Sequence, residues 1–525
     1  MTEISGQSFV GGSWISPEGQ TFTSVNPRNG ETKNLFNSCG SQEINEALAK
    51  ADEAFQVVRN YSGENIAEFL NAIADEIEAL GDVLLTTGDM ESGLGIPRMT
   101  GERGRTCGQI RAFAAIAQEG QWTQPSIDTA IPDREPIPKP DLRRMMKPIG
   151  PVVVFGASNF PFAFGSLGGD TASALAAGNP VIVKGHPSHP ATSELFTQAV
   201  ETAAKKTGMP DGIFSLLQGV GIELGSELVK HPSVKAVGFT GSYRGGRALM
   251  DLAAARPEPI PVYAEMGSVN PVFIGKNSLS KNVDALAAGL SGSVCLGTGQ
   301  FCTSPGVVVT LESSELEDKM KSAMTEAARG NMLNAGIAQA YSTGLKRLQN
   351  TSSVEWLNPV DVVDGEMTPP NAVFKVAASD FLEDKNLAEE VFGPLTLLVV
   401  CENEEEMKQV AQSIDGNLTA TIHSDGDDEL TVELTNILEQ KVGRVIYNGY
   451  PTGVEVAPSM QHGGPFPASS VSWSTSVGAD AIVRFARFVA YQNIPDPILP
   501  DALKNSNPLG LVRRVNGKLT QDTVG

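Results

Sequence analysis

The chain has 525 residues, of which 41% are hydrophobic and 19% are charged, and its formal net charge is −22. This length allows two or three domains with a substantial core. The acidic balance excludes a nucleic-acid binder and disfavours docking on anionic membranes. Five scattered cysteines form no disulfide framework, and the N-terminus has no signal-peptide pattern, so we expect a cytoplasmic protein without a membrane-spanning segment.

Helical periodicity dominates the first part of the chain. Apolar residues recur at helical spacing in 41–60 and again in 64–80, so residues 41–118 are predicted to be mainly helical. Residues 120–148 are rich in proline and charge, which is typical of an extended arm or linker.

Strands and helices alternate from residue 150 onwards. Short apolar runs rich in β-branched residues predict buried strands over 150–158, 179–185, 213–219, 234–242, 270–275, 306–311, 395–400 and 443–449. Helices are predicted in 164–178 and 189–208, the second with Gly208 as its stop. This alternation predicts doubly wound parallel sheets in two α/β lobes with a boundary near 262. Residues 496–525 are expected to form a docked tail with a loose end.

Four polar side chains lie where they could carry chemistry. The stretch "GTGQFCTSPG" presents Cys302 on a loop of small, turn-prone residues. Asn159 follows a predicted strand, Glu265 ends another, and Glu390 lies shortly before a third. The carboxyl ends of strands in α/β sheets face the ligand crevice, so these groups could converge there.

Six short motifs together resemble one family. "ASNFP", "VIVKG", "GFTGS", "AEMG", "GQFC" and "EEVFGP" occur in this order over about 240 residues, and they resemble the aldehyde dehydrogenase superfamily. The segments "HGGPFPASS" and "YQNIPDPILPDALKNSNPLG" resemble the branch that includes α-ketoglutaric semialdehyde (2,5-dioxopentanoate) dehydrogenases.

The resemblance implies an α/β fold with two doubly wound parallel-sheet lobes and a small β oligomerisation arm. The domains expected from it are a dinucleotide-binding domain (1–133 plus 150–262), a catalytic domain (263–470), the arm (134–149 plus 471–500) and a C-terminal tail (501–525). The arm and the segment after about 475 resemble subunit-bridging elements, so a homodimer or homotetramer is expected.

The resemblance also assigns catalytic roles. Cys302 would add to the aldehyde carbon, so that a hydride can leave and a hydrolysable thioester remains. Asn159 would donate its side-chain NH2 to the oxyanion, and Glu265 would activate water against the thioester. Taken singly, these residues have structural alternatives: a small loop residue, a turn former and a solvated strand end. One departure is Ser158, which stands where the family commonly has Trp.

An NAD(P) site is implied as well, although the G-x-G-x-x-G fingerprint does not follow the first strand. Ser242 and its neighbouring glycines would bind an anion at a helix start, Lys184 would reach the adenosine ribose, and Glu390 would hold the nicotinamide ribose. Pro187 stands where NAD-preferring relatives often carry Glu, which favours NADP, with NAD as the alternative. The complete predicted cofactor set is Lys184, Ser242, Gly241, Gly245, Glu390, Phe392, Phe155 and Pro187.

The histidines and cysteines show no ligand spacing, so no metal is predicted. A short dicarboxylate semialdehyde would need a cation at the far end of its tunnel. Arg105 and Arg111, six positions apart on a predicted helix, are candidates, with ordinary surface arginines as the alternative.

The leading hypothesis is NAD(P)-dependent oxidation of an aldehyde to a carboxylic acid, with α-ketoglutaric semialdehyde as substrate and 2-oxoglutarate as product. A long-chain aldehyde is the alternative substrate. The alternatives of another class are a thiol esterase or acyl transferase without hydride transfer, and a non-catalytic relative of the fold.

Overall fold

The computed structural model describes residues 4–426 and 428–524. The α-helices in this part of the chain are α1 (Ser41–Val58), α2 (Gly63–Ala79), α3 (Gly81–Ser92), α4 (Ile96–Glu119), α5 (Gly169–Ala176), α6 (Pro190–Thr207), α7 (Glu223–Lys230), α8 (Tyr243–Ala254), α9 (Lys276–Cys295), α10 (Ser314–Glu326), α11 (Ala335–Gln349), α12 (Ala378–Glu383), α13 (Glu404–Ser413) and α14 (Glu429–Leu438).

The strands are β1 (Ser8–Val10), β2 (Ser13–Ile15), β3 (Thr21–Val25), β4 (Thr32–Asn37), β5 (Ser126–Asp128), β6 (Leu142–Pro148), β7 (Val152–Phe155), β8 (Val181–Lys184), β9 (Phe214–Leu217), β10 (Ala236–Thr240), β11 (Val262–Glu265), β12 (Val272–Ile274), β13 (Val307–Leu311), β14 (Glu355–Trp356), β15 (Ala372–Ala377), β16 (Leu395–Cys401), β17 (Asn417–His423), β18 (Val442–Tyr447), β19 (Ala486–Gln492), β20 (Arg513–Val515) and β21 (Lys518–Thr520).

The first lobe is built on a sheet of order β11-β10-β7-β8-β9-β1-β2. Its strands from β11 to β9 are parallel, whereas β1 and β2 extend the edge in antiparallel pairing. The central strands are apolar along most of their length because helices cover both faces of a parallel sheet. Their carboxyl ends therefore share one edge, at which Phe155, Lys184 and Glu265 end their strands.

The second lobe has a sheet of order β14-β15-β16-β13-β12-β17-β18, parallel except for the short β14. The helices bury apolar stripes against the sheets and against one another. In α2, which packs on α4 and α6, Phe69, Leu70 and Ile73 are all at most 1% exposed. Two packed α/β lobes follow, as the alternation of apolar runs predicts.

The arm forms a third sheet of order β19-β6-β5-β20-β21. Residues 120–148, expected to be extended, supply β5 and β6, and the long β19 pairs antiparallel with β6. The tail expected at 501–525 supplies β20 and β21 to this same sheet. The tail is therefore part of the arm sheet.

Most predicted elements agree with the structure at their centres and differ at their ends. The helix predicted in 164–178 begins only at Gly169, because a series of turns precedes it. Gly208 ends α6 in the left-handed conformation, as predicted. Across residues 4–426 and 428–524, the helices are too short or too polar to cross a membrane.

Candidate active site

The loop that carries Cys302 lies between α9 and β13 and is held by two buried amides. The Asn270 side chain donates to the carbonyl oxygens of Cys302 at 2.9 Å and Ser304 at 3.0 Å. The Gln300 carboxamide oxygen accepts from the Leu333 backbone N–H at 2.9 Å. The loop is thus fixed by hydrogen bonds on both sides of the thiol, which suits a group that must be presented in one orientation.

Two glycines allow neighbouring segments to reach this loop. A Cβ on Gly299, whose φ is +65°, would lie 2.2 Å from the carbonyl carbon of Gly393. A Cβ on Gly267 would lie 2.5 Å from the Glu390 carboxylate. Glycine is required at position 299, because a side chain there would collide with backbone. At position 267 a side chain would displace the Glu390 carboxylate. The motifs "AEMG", "GQFC" and "EEVFGP" therefore meet in space.

A thiol, a carboxylate and an imidazole converge at the centre of the site. Cys302 Sγ lies 3.6 Å from His462 Nε2, and the same nitrogen lies 2.9 Å from Glu265 Oε1. The Ser476 hydroxyl donates to Glu265 Oε2 at 2.7 Å. The imidazole can therefore pass a proton between the sulfur and the carboxylate.

The electrostatics of this group separate the acid from the thiol. Burial alone would raise the pKa of Glu265, but His462 and the Ser476 hydroxyl more than offset this, so its pKa lies below the ordinary value. Burial raises the pKa of Cys302 well above its ordinary value, and the Glu265 carboxylate raises it further, whereas Arg105 lowers it. The resting thiol thus holds its proton beside a charged base that can receive it.

Asn159 lies beside the same loop. Its side-chain Nδ2 donates to the Gln300 carbonyl at 2.9 Å. An amide nitrogen carries two hydrogens, so one remains for a ligand near Cys302.

A cavity of about 370 Å³ opens onto the thiol. Its wall includes Cys302, the aromatic rings of Phe160 and Phe301, and the side chains of Arg98 and Arg105. This combination offers a mostly apolar space with a small number of strong hydrogen-bond donors, as is typical of sites for small organic ligands.

Of the two candidate arginines, Arg105 reaches this cavity and Arg111 does not. On the outer side of α4, Arg111 forms ion pairs at 2.7 Å with Asp75 and with Glu78, both of which belong to α2. Six residues correspond to about 600° of helical rotation, which places Arg111 some 120° away from Arg105 around the axis. The expectation that both would face the substrate is therefore wrong for Arg111 in this structure.

The predicted cofactor residues lie along the carboxyl edge of the first sheet. Lys184 donates to the carbonyls of Gly185 at 3.0 Å and Gly219 at 2.7 Å, and burial lowers its pKa to about 8. Phe155 ends the adjacent strand in register with Lys184. Pro187 lies in the turn that follows β8.

Ser242 and its glycines begin α8. The Ser242 hydroxyl accepts from the Gly245 backbone N–H at 3.2 Å, and a Cβ on Gly241 would lie 2.7 Å from the Phe239 ring. The Gly241 N–H donates to the Glu265 carbonyl at 3.1 Å, which joins this turn to the catalytic strand end. The start of this helix fits a dinucleotide phosphate because its backbone N–H groups lack helical partners.

Glu390 and Phe392 line a second, small cavity together with Ser268, Gly299 and Phe301. Neither lines the 370 Å³ cavity, which contains Arg98 and Arg105, whereas Phe301 lines both. Two separate spaces therefore border the loop that carries Cys302.

The same donor atoms are also capable of holding a metal. The ligand atoms of Glu265, Cys302 and His462 all lie within 4.8 Å of one another, although the chain positions show no ligand spacing. Thiolate, imidazole and carboxylate are donors that Zn²⁺ accepts. Such an ion would occupy the position at which the thiol attacks.

Two site residues are not predicted from the sequence. His462 lies in a loop 160 positions beyond Cys302. It is the first residue of "HGGPFPASS", a segment that indicates only a resemblance to one branch of the family, so the signal is present in the sequence but is not read as a base. Asn270 lies in "AEMGSVNP", where its position in the turn before a strand conceals its role as the anchor of the thiol loop. Asn270 is buried and has a positive φ of 46°, which is uncommon for a non-glycine residue, but this feature is visible only in the folded chain.

Comparisons with known proteins place this geometry in a family. The profile of the aldehyde dehydrogenase family matches residues 14–482. The chain is 46% identical to alpha-ketoglutaric semialdehyde dehydrogenase 2 of Azospirillum brasilense, covering 98% of this chain and 99% of that protein. It is 41% identical to alpha-ketoglutaric semialdehyde dehydrogenase of Acinetobacter baylyi, covering 99% and 100%.

Solved structures agree on the fold. The NAD-bound 1-pyrroline-5-carboxylate dehydrogenase from Thermus is 20% identical with a TM-score of 0.78, covering 93% of this chain and 92% of that chain. The aldehyde dehydrogenase KauB from Pseudomonas aeruginosa is 19% identical with a TM-score of 0.80, covering 94% and 97%. The chain belongs to the aldehyde dehydrogenase family. It is an NAD(P)-dependent enzyme that oxidises an aldehyde to the corresponding acid.

Proposed function

We propose that this enzyme oxidises α-ketoglutaric semialdehyde to 2-oxoglutarate. The observation that carries the proposal is the match over nearly the full chain, at 46% and 41% identity, to two enzymes named for this substrate. The convergence of Cys302, Glu265 and Asn159 beside a cavity with two arginines supports the same reaction.

The first step is attack of Cys302 sulfur on the aldehyde carbon. A C–S bond forms, the carbonyl π bond opens onto oxygen, and the thiol proton passes through His462 Nε2 towards Glu265. The free N–H of Asn159 and the backbone N–H of Cys302 stabilise the oxyanion. One such donor contributes about 2.7–4 kcal/mol to transition-state stabilisation.

Bound NAD(P)⁺ supplies the hydride acceptor. The residues proposed to hold it are the anion site at Ser242, the Lys184 ammonium, and Glu390 and Phe392 beside the thiol loop. Loss of hydride leaves a thioester on Cys302. The proton received in the first step leaves to solvent, and Glu265 then takes a proton from water, whose oxygen forms the new C–O bond as the C–S bond breaks. That second proton returns to the departing thiolate, so the acid and the thiol are released.

We propose NADP as the preferred cofactor. Lys184 forms no ion pair in the described part of the chain, and its ammonium donates to backbone carbonyls. Pro187 offers no carboxylate that would repel a 2′-phosphate. Initial rates with NADP and NAD at equal concentration test this, and Pro187→Glu should shift the ratio of catalytic efficiencies towards NAD. An unchanged ratio would count against a role for position 187.

We also propose a homodimer or homotetramer in the cytoplasm. The edge strands β18 and β19 carry exposed aromatic side chains, with Tyr447 52% and Phe488 39% exposed, and such edges are templates for pairing with another chain. The five cysteines are all free, which suits a reducing compartment. Sedimentation analysis of the purified enzyme tests the assembly.

An aldehyde panel tests the substrate. The panel contains α-ketoglutaric semialdehyde, succinic semialdehyde, glutaraldehyde, hexanal and decanal, and NAD(P)H fluorescence measures the rate with each. We expect α-ketoglutaric semialdehyde to give the highest kcat/KM. A preference for decanal would replace the substrate by a long-chain aldehyde. Turnover of p-nitrophenyl esters with no NAD(P)H from any aldehyde would point to an esterase.

A further inference from the structure

The guanidinium of Arg105, beside the thiol, has two nitrogens without hydrogen-bond partners among the described residues. The Arg105 Nη1 donates to the Val454 carbonyl, whereas Nε and Nη2 are buried and have no hydrogen-bond partner among residues 4–426 and 428–524. These two nitrogens share one edge of the planar guanidinium. Their parallel N–H bonds match the two oxygens of a carboxylate.

A second arginine lies close by with another unused donor. The Arg98 Nε lies 3.4 Å from Glu102 Oε2, while its Nη2 is buried and unpartnered within the described ranges. Its guanidinium lies over the rings of Phe160 at 4.4 Å and Phe301 at 4.9 Å between centres. The aromatic contacts and the acid fix the orientation of this side chain.

Arg98 is paired with Glu102, whereas Arg105 has no ion-pair partner within 4 Å among the described residues, and the Glu102 and Glu455 carboxylates act on it only from farther away. Glu102, which is 3% exposed, accepts from the backbone N–H groups of Phe162 at 2.8 Å and Ala163 at 3.0 Å, and its second oxygen faces Arg98. Arg105 forms no ion pair within 4 Å in the part of the chain that the structure describes. The subsite therefore suits a ligand with a single negative charge.

The helix itself leaves space for this ligand. Arg98 and Arg105 are seven residues apart on α4, nearly two full turns, so they share one face. Gly101 and Gly108 also lie at the two neighbouring cavities that meet at Arg105. A Cβ on either would meet no atom within 4 Å. Glycine is unfavourable within a helix, and here close packing does not require it.

We propose that Arg98 and Arg105 form a carboxylate-binding subsite that selects short, singly charged aldehyde acids and directs their aldehyde carbon to Cys302. The inference rests on the proposed function and specifies how that function is achieved. A neutral aldehyde of equal length leaves the buried N–H groups unpaired, which a site of this kind penalises. A 2-oxo acid adds an acceptor oxygen next to the carboxylate, within reach of the second arginine's free donor.

The test compares two substrates in four proteins. Values of kcat/KM are measured with α-ketoglutaric semialdehyde and with pentanal, which has the same number of carbons, for the wild type, Arg105→Met, Arg98→Met and Arg103→Met. Arg103 is the matched control because it lies on the same helix and its guanidinium donates to the Gly81 carbonyl at 3.2 Å.

We expect Arg105→Met to lower kcat/KM for the semialdehyde about 10- to 100-fold more than for pentanal. Loss of the Arg105 charge beside Cys302 affects both substrates alike, so the ratio of the two kcat/KM values is the readout. Arg98→Met should have a smaller effect of the same kind, and Arg103→Met none. Retained pentanal turnover also shows that each variant has folded.

The outcomes separate this inference from the proposed function. If the wild type prefers the semialdehyde but Arg105→Met keeps the same ratio of the two substrates, the subsite is wrong and the function stands. Equal loss with both substrates assigns Arg105 a structural role and also overturns the subsite. If the wild type instead prefers another aldehyde acid, the proposed substrate is wrong. The subsite is then tested by the effect of Arg105→Met on the ratio of kcat/KM for that acid to kcat/KM for pentanal. A wild type without preference for any charged aldehyde overturns both.

Discussion

Two buried glutamates, Glu91 and Glu265, show how differently this protein uses a carboxylate. Glu91 at the end of α3 is 1% exposed, and Glu265 at the end of β11 is 5% exposed. Glu91 accepts from the backbone N–H groups of Ala191 at 2.9 Å and Thr192 at 2.8 Å, and from the Thr192 hydroxyl at 2.7 Å. It thereby satisfies the first turn of α6, whose N–H groups have no helical partner.

Glu265 has instead partners that can exchange protons. One oxygen faces His462 and the other accepts from Ser476, with the Cys302 thiol close by. Burial raises the pKa of Glu91 to about 7, whereas the pKa of Glu265 lies below its ordinary value. Burial of an acid alone therefore does not mark a catalytic site. The distinction lies in whether its partners are fixed backbone donors or titratable groups.

Removing the thiol should give the largest effect. We expect Cys302→Ala to lower dehydrogenase turnover by at least about 10⁴-fold, because no nucleophile remains to make the aldehyde carbon tetrahedral. The measurement is NAD(P)H formation with saturating aldehyde. Cys295→Ala is the control, since that thiol lies against Met324 Sδ at 3.6 Å, and its turnover should stay near the wild-type value. Substantial activity in the Cys302 variant would disprove the covalent mechanism.

Replacing Glu265, the proposed general base, should separate the two halves of the reaction. Glu265→Gln is expected to lower steady-state turnover about 10²- to 10⁴-fold, because an amide cannot take a proton from the hydrolytic water. A single rapid burst of NAD(P)H should remain, since thioester formation precedes that step. Stopped-flow fluorescence measures both phases, and Glu91→Gln should leave both nearly unchanged. A burst lost in proportion to turnover would remove Glu265 from thioester hydrolysis.

His462→Gln should weaken the proton path without removing the nucleophile. We expect the burst rate near pH 7 to fall about 100-fold and then to rise with pH. The reason is that burial and Glu265 raise the pKa of Cys302, so solution base must generate the thiolate as the pH increases. His231→Gln, at a surface turn where the imidazole accepts from the Ser233 N–H at 3.2 Å, is the control. Equal pH dependence in both variants would contradict proton transfer through His462.

The contrast between predicted and unpredicted residues follows from sequence distance. Asn159 and Glu265 are predictable because one follows and the other ends an apolar strand, and strand ends converge by topology. Cys302 lies between α9 and β13, and it is predictable from its loop of small residues and from the motif resemblance. His462 reaches the thiol from a loop outside any strand or helix, so only the folded chain brings it there.

The arginines illustrate a different error. A six-residue spacing on a helix separates two side chains by about 120°, whereas a seven-residue spacing brings them to within about 20°. Helical geometry would therefore have favoured Arg98 over Arg111 as the partner of Arg105. The ion pairs of Arg111 with Asp75 and Glu78 depend on the packing of α4 against α2, which local pattern does not reveal.

The smallest effect on activity should come from the structural acid, where the change is in stability. Burial sets the pKa of Glu91 at about 7 against an ordinary value of 4.5, so the folded protein binds more protons than the unfolded chain between these values. The stabilisation that Glu91 contributes to the folded state is fully present below about pH 4.5, and it is lost as the pH rises through 7. Between pH 5 and 8 this loss is on the order of 3 kcal/mol in the free energy of unfolding.

Glu91→Gln removes this titrating group. Between pH 5 and 8, the free energy of unfolding should therefore fall by about 2–3 kcal/mol less in the variant than in the wild type. At pH 5 the variant should be less stable than the wild type, because its amide NH2 faces the Thr192 N–H. Urea unfolding at both pH values measures the two differences. Since the protein's many surface acids are common to both proteins, their contribution cancels in this comparison. Parallel pH dependence in the two proteins would mean that Glu91 stays ionised when buried, with the helix end alone compensating its charge.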